Sequence, residues 1–235
     1  MDCVHILWSD CSDTSSISYY HFYHRLCAIA IQEYDQLQIL AEQILCNAKS
    51  IDDKLVIFQV NIRLFIIRSD LSTAISCSKD VLSSLGEEIP QAPTSEDITQ
   101  SFLETRKMLD PLSDEDLINY KLIPESDKKK MFAMKFLAKL SESLVMFNPQ
   151  ETPLVIMKMV QISLKVGMSS VSPLAFVQYA SFLATQGDIS GGYRYARVAK
   201  ALLDSNPSNI QVKGEALAYF GQLLAFVGKQ KYIVD

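Results

Sequence analysis

Apolar residues recur at the spacing i, i+3, i+4, i+7 along most of the chain, which is the period of an amphipathic helix. The 8 glycines and 8 prolines cluster at the breaks between these segments. No segment shows the sustained alternation that predicts a strand. The pattern therefore predicts an all-α fold, with helices at 18–33, 35–48, 52–69, 71–85, 96–109, 114–120, 127–147, 153–166, 173–185, 189–204 and 209–227.

Capping residues stand at several of these predicted boundaries. A hydroxyl side chain at a helix start accepts a free backbone N–H, and a proline suits the first helical position. Four hydroxyl residues are expected to act as N-caps: Ser95, Ser113, Thr152 and Ser172. Gly86 and Gly167 each follow a long helix, where a residue in the left-handed conformation is expected.

Three helix starts share a repeated pattern, namely "EYDQLQILAEQIL", "DLSTAISCSKDVL" and "DISGGYRYARVAKAL". Small residues stand eight positions after the leading acid in all three copies and four positions after it in the second and third, as at Gly192 and Ala196 in the third copy. Small residues on one face let a neighbouring helix approach closely, as in the second helix of a tetratricopeptide unit. We therefore expect tetratricopeptide-like hairpins stacked into a degenerate right-handed superhelix. An irregular helical bundle is the alternative.

The loop "GEEIPQAPTSED" holds two prolines and is the strongest candidate for an internal boundary. We expect a first helical-repeat sub-array at 14–86, a proline-containing loop at 87–95 and a second sub-array at 96–228. An N-terminal segment at 1–13 and a C-terminal tail at 229–235 have no predicted helix.

Charge and cysteine usage limit the class of protein. The formal net charge is −5, so the chain lacks the positive field that nucleic-acid binding usually needs. An odd number of cysteines without a CxxC spacing argues against a disulfide framework or a zinc site. Free thiols indicate a reducing compartment, and we expect a cytoplasmic protein. The start "MDCVHILWSDCSD" has no basic region, so no secretory signal is expected.

The most apolar run, 55–67, does not predict a membrane span. It is interrupted by Gln59, Asn61 and Arg63, and a spanning helix needs roughly 20 apolar residues. No membrane partner is expected.

No motif for catalysis or nucleotide binding occurs in the chain. The phosphate-binding GxxxxGK[ST] loop is absent, as are GxGxxG, HExxH and GxSxG. His21, His24 and Cys27 could share one helix edge, but a zinc site takes about four ligands, and a chance cluster is the favoured interpretation. We therefore expect no enzyme, no catalytic residue, no metal site and no cofactor.

Polar stripes and the last helix supply the candidate contact surface. Lys128–Lys130, Lys135 and Lys139 form either a solvated face or a surface for an acidic partner. The last helix carries "ALAYFGQLLAFVG", which is apolar around most of its circumference. It is expected to pair with something outside the chain, although folding back onto the array is the alternative. The candidate interaction residues are Lys158, Gln161, Lys165, Gln178, Ser181, Tyr219 and Phe226.

Three segments resemble the helical region of very large signalling proteins: "VLSSLGEEIP" with its proline-rich loop, "LIP" before a lysine-rich helix, and "ISLKVGMSSVSPLAF". Those proteins carry a Ser/Thr-kinase-like domain, an ATPase of the AAA/STAND type and a tetratricopeptide-like region, often followed by GAF and histidine-kinase modules. The resemblance spans about 19–204. It implies a helical arm that couples the ATPase to its output.

No catalytic segment of that family is present, so no catalytic residue is carried over from it. We expect a non-catalytic scaffold for protein–protein or interdomain contacts in signal transduction, as a fragment or stand-alone relative of a sensor-kinase ATPase arm. Its partner would be an ATPase or kinase domain, or another copy bound through the C-terminal helix. One alternative is the ATP-binding kinase or two-component sensor activity of the full-length family. A second is an RNA-binding helical repeat, which the negative charge disfavours.

Overall fold

The structure, a computed structural model, describes residues 34–48, 51–205, 214 and 216–221. In these residues it contains helices and no strand, which confirms the predicted all-α class. An isolated parallel bridge joins Leu122 to Met168. The tetratricopeptide-like superhelix stays a prediction.

The helix bounds lie within two residues of the predicted ones. The helices are α1 (Tyr34–Asn47), α2 (Ile51–Ile67), α3 (Leu71–Ser84), α4 (Ser95–Leu109), α5 (Asp114–Ile118), α6 (Lys128–Phe147), α7 (Thr152–Lys165), α8 (Ser172–Thr185) and α9 (Ile189–Ser205). Residues 216–221 are also helical. The predicted helix 18–33 lies outside the described residues, as does much of 209–227.

The chain divides into two compact units, Met1–Ser69 and Asp70–Asp235. Helices α1 and α2 pack together in the first unit, and α3 to α9 belong to the second. This division falls before the 87–95 loop, and the predicted sub-arrays 14–86 and 96–228 stay predictions. The predicted segments 1–13 and 229–235 lie outside the described residues.

Helix α8 forms the centre of the second unit. It packs on α7 and α9, and its aromatic side chains Phe176 and Tyr179 are fully buried. Helix α6 packs between α3 and α7, and also touches α8. Helices α4 and α5 pack against α7 and α9, respectively. The 87–127 stretch therefore covers α7 and α9, while α6 keeps part of its surface open.

Helices α4 and α5 begin with the same capping arrangement, and the predicted cap residue of α4 is wrong by one position. Thr94, not Ser95, caps α4: its hydroxyl accepts a hydrogen bond from the Asp97 N–H at 3.2 Å, and Ser95 is the first helical residue. Asp97 accepts in return from the Thr94 N–H at 2.7 Å. Ser113 and Asp116 form the same reciprocal box at α5, as predicted for Ser113. Thr94 takes the cap because its backbone is extended, which directs its hydroxyl back at the free N–H groups.

The two hydroxyl residues that were predicted to cap α7 and α8 lie within the helices and do not cap them. Thr152 and Ser172 are the first residues of their helices, so neither is an N-cap. The Ser172 hydroxyl instead accepts from the Ser169 N–H at 2.9 Å and lies 2.7 Å from the Ser163 hydroxyl. Proline at the second position still suits the free first turn, which explains why both helices start there.

Two glycines end helices as predicted. Gly86 follows α3 with φ +78°, a left-handed conformation that favours glycine. Gly167 follows α7 with φ +151°, and a Cβ there would lie 2.6 Å from the Leu122 carbonyl carbon. The close approach lets the Met168 N–H donate to the Lys121 carbonyl at 2.7 Å.

Candidate interaction surface

Two of the predicted interaction residues lie inside the helix packing and not on the surface. Gln161 is buried and donates to the Thr105 hydroxyl on α4 at 2.9 Å. Gln178 is 2% exposed and accepts from the Ser141 hydroxyl on α6 at 3.2 Å. Both amides replace water with hydroxyls of neighbouring helices, because buried polar groups need a partner. They join helices to one another.

Three further candidate interaction residues form ion pairs or hydrogen bonds within the chain. The Lys158 ammonium lies 2.8 Å from the Glu87 carboxylate, and the half-exposed Lys165 lies 2.8 Å from Glu104. The half-buried Ser181 donates its hydroxyl to the Val177 carbonyl at 3.1 Å. A contact between any of these residues and a partner stays a prediction.

The last predicted helix is only partly described. Ala216 and Phe220 are buried, whereas Leu217 is 55% exposed, so this stretch has one buried and one open side. Tyr219 is half-buried, and Phe226 lies outside the described residues. Pairing of this helix with a group outside the chain stays a prediction.

A network of ion pairs fastens the start of the 87–95 loop. The Lys79 ammonium donates to the Pro90 and Gln91 carbonyls, each at 3.0 Å, and to the Glu151 carboxylate at 2.8 Å. The Glu87 carboxylate accepts from Lys130 and Lys158.

Three lysines from three helices meet two carboxylates in this network. Burial raises the pKa of Glu87, but hydrogen bonds from Lys130 and Lys158 offset this and leave the pKa below its ordinary value. The network connects side chains of α3, α6 and α7, so its ion pairs hold these helices together.

An aromatic cluster fills the contact between α8 and α9. The Tyr195 ring lies 5.3 Å from the Tyr179 ring and 6.3 Å from the Phe176 ring, centroid to centroid. Burial raises the pKa of both tyrosines, so the phenols stay protonated near neutral pH. Arg194, next to this cluster, donates to the Asp114 carboxylate at 2.6 Å and fixes α5 to α9.

A small pocket lies where α5, the 120–123 segment and the end of α9 meet. It holds about 60 Å³ and is lined by Tyr120, Leu122, Met168, Pro173 and Leu202, among others. Pockets for cofactors and drug-sized ligands hold about 300–1,000 Å³. This one is therefore too small for a ligand of that size.

Metal ligands do not converge within the described ranges, where no group of three His, Cys, Asp or Glu residues is placed to hold an ion. The predicted chance cluster of His21, His24 and Cys27 lies outside those ranges. Cys77 is half-buried, and burial raises the pKa of its thiol. None of the helices in the described part of the chain has the length and apolarity needed to cross a membrane.

The end of α6 carries a run of exposed apolar side chains. Val145, Met146 and Phe147 are 45%, 67% and 59% exposed. Sequence reasoning missed this run, although a signal was present. Three consecutive helical residues span about 200° around the axis, so they cannot all face one core. An apolar triplet in a last turn therefore leaves apolar surface open.

No protein-family model, curated protein or solved structure matches the chain. The resemblance to the helical region of sensor kinases stays a prediction.

Proposed function

We propose that this chain is a non-catalytic helical-repeat scaffold that makes protein–protein contacts through the C-terminal end of α6. The observation that carries the proposal is the exposed run of Val145, Met146 and Phe147. Full burial of a large apolar side chain contributes about 1.5–3 kcal/mol. A partner that buries these three neighbouring side chains would therefore gain binding free energy.

The helix order supports a stacked, tetratricopeptide-like arrangement. Helices α6 and α7 pack as one hairpin, α8 and α9 pack as the next, and α8 contacts both helices of the first hairpin. In such stacks each hairpin covers apolar surface of its neighbour, and the array presents an extended binding surface.

The buried polar groups already described support a scaffold as well. Gln161, Gln178 and Lys79 each bond to groups of the chain itself, so their polar atoms hold helices and loops in place. With the family resemblance, this favours an interdomain arm of a cytoplasmic sensor-kinase system, whose partner is an ATPase or kinase domain.

Photo-crosslinking in cells tests the proposal. Replacing Phe147 with the photoreactive p-benzoylphenylalanine should give a covalent adduct with a defined partner protein after irradiation. The matched control places the same group at Leu103, which is 62% exposed on α4 and has no exposed apolar side chain next to it. Absence of a protein adduct at position 147, or the same set of adducts at both positions, would refute the scaffold proposal.

A further inference from the structure

Helix α6 presents one continuous face along its length. Residues spaced i, i+4, i+7, i+11, i+14 and i+18 share one side of a helix. Six residues with this spacing define the α6 face: Lys128, Phe132, Lys135, Lys139, Glu142 and Met146. All six are exposed or half-buried, and at ~1.5 Å per residue the face is ~27 Å long.

The charge on this face is opposite to that of the whole chain. The α6 face carries three lysines against one glutamate, whereas the formal net charge of the chain is −5. Lys129 is also exposed and lies beside it. Lys139 lies 2.6 Å from Glu142, and the Lys135 ammonium lies 5.2 Å from the centroid of the Phe132 ring. A face of this sign attracts an acidic partner.

Apolar groups occupy both ends of the same face. Phe132 is half-buried near the start, and Met146 lies with Val145 and Phe147 at the end. Between them are Lys135 and Lys139. An amphipathic helix that binds along a groove or face uses apolar anchors at i, i+3, i+4 and i+7, with charges beside them. The order apolar–basic–apolar fits such a helix when its central residues are acidic.

We propose that the α6 face binds an acidic amphipathic helix of a partner protein. This inference rests on the proposed scaffold function and assigns the chemistry of its partner. Apolar side chains of the partner pack on Phe132 at one end and on Met146 at the other. Carboxylates between them pair with Lys135 and supplement the Lys139–Glu142 pair.

Peptide binding to the full chain tests this assignment. The probe is a fluorescein-labelled helix of about 20 residues, with leucines at i, i+3, i+11 and i+14 and glutamates on the same face between the two leucine pairs, so that it can reach both Phe132 and Met146. A second peptide keeps the leucines and carries lysines in place of the glutamates. We expect the acidic peptide to bind more tightly than the basic one, with an affinity that falls as salt is added.

Matched variants locate the site. Lys135→Glu should weaken binding of the acidic peptide about tenfold, while Lys107→Glu, an exposed lysine on α4, should leave it unchanged. Met146→Ser should weaken binding, whereas Leu103→Ser, at a similarly exposed position, should not. Equal binding of both peptides, no binding of the acidic peptide, or no effect of Lys135→Glu would overturn the inference.

Other occupants give distinct results. Binding to phosphatidylserine vesicles or to single-stranded RNA that Lys135→Glu abolishes, without acidic-peptide binding, would overturn the inference in favour of that ligand. Self-association that Lys135→Glu abolishes would likewise favour a second copy. If the peptide fails to bind while crosslinking at position 147 persists, the acidic helix is wrong and the scaffold proposal stands.

Discussion

At the scale of single residues, charged side chains hold the second unit together from within. Lys79 is 4% exposed, so its ammonium has almost no access to water and relies on two carbonyls and the Glu151 carboxylate. A buried charge is tolerated when its hydrogen bonds are complete, and removing one partner costs more than the pair itself contributes. The two ion-pair centres, at Lys79 and Glu87, should therefore differ from surface pairs in their response to mutation.

Glu151→Gln should lower the free energy of unfolding by about 2–3 kcal/mol, because it leaves the buried Lys79 charge without its carboxylate. Glu104→Gln is the matched control, since its pair with Lys165 is half-exposed and should contribute about 0–1 kcal/mol. Urea denaturation monitored by circular dichroism measures both changes. Equal losses for the two variants would show that the Lys79 pair behaves as a surface pair.

Acid should remove the contribution of Glu87. The pKa of Glu87 is below its ordinary value of 4.5 in the folded chain, so its pairs with Lys130 and Lys158 stabilise the fold fully above that value. The stabilisation is lost as pH falls through the lower folded-state pKa, where the folded carboxylate takes up its proton.

The stability difference between wild type and Glu87→Gln should therefore be large near neutral pH and should shrink as pH falls below 4.5. Glu88→Gln, an exposed neighbour, serves as the control. Denaturation curves across this pH range measure the difference. A difference that stays constant down to the lowest pH would contradict the assignment of the ion pairs.

At the scale of helices, the hydrophobic period predicted where nearly every helix begins and ends. The period and the glycine and proline breaks located α1 to α9 within two residues, because each helix buries one apolar stripe and stops where the backbone must turn. The cap of α4 was placed one residue late, since Thr94 and Ser95 are both capping residues and only the backbone geometry separates them.

The hydrophobic period could not predict which helices pack against each other. In the sequence, Gln161 and Gln178 have the pattern of surface residues. In the fold they are buried, and their amides form hydrogen bonds with the hydroxyls of Thr105 and Ser141, on helices far away in the sequence. Sequence spacing does not reveal which polar stripe meets hydroxyls of another helix. The packing of α4 on α7 and of α5 on α9 depends on such long-range contacts.

The prediction of a close helix contact at Gly192 is supported by the geometry. A Cβ at this position would lie 2.9 Å from the Ala180 carbonyl oxygen and 3.3 Å from the Ala184 Cβ on α8. Gly192→Ala should therefore cost about 1–3 kcal/mol, despite the better helix propensity of alanine, because a backbone atom must shift.

Gly221→Ala is the control for this change, since no atom of the described residues lies within 4 Å of a Cβ at that helical position. It should be neutral or slightly stabilising. Thermal unfolding measures both variants. A higher melting temperature for Gly192→Ala would show that α8 and α9 are farther apart than described.

At the scale of the whole molecule, α6 is the element that we propose to face a partner. Gln161 on α7 and Gln178 on α8 make contacts between helices, and α4 and α5 pack against α7 and α9. On α6, Lys135 and the apolar end are exposed, and Phe132 and Lys139 are half-buried. From the sequence, these lysines are either a solvated face or a surface for an acidic partner, and the apolar end emerged only from the exposure of Val145, Met146 and Phe147.

The most direct test of this account is the size of the native complex that contains the full-length chain in extracts of its own cells. We predict that the tagged wild-type chain elutes from a gel-filtration column well above the mass of a single chain. Met146→Glu should return it to that mass, because a charge within the apolar end of α6 opposes burial. Leu103→Glu, on α4, should remain in the complex. A wild-type chain that elutes as a single chain, or a Met146→Glu variant that stays in the complex, would contradict the account.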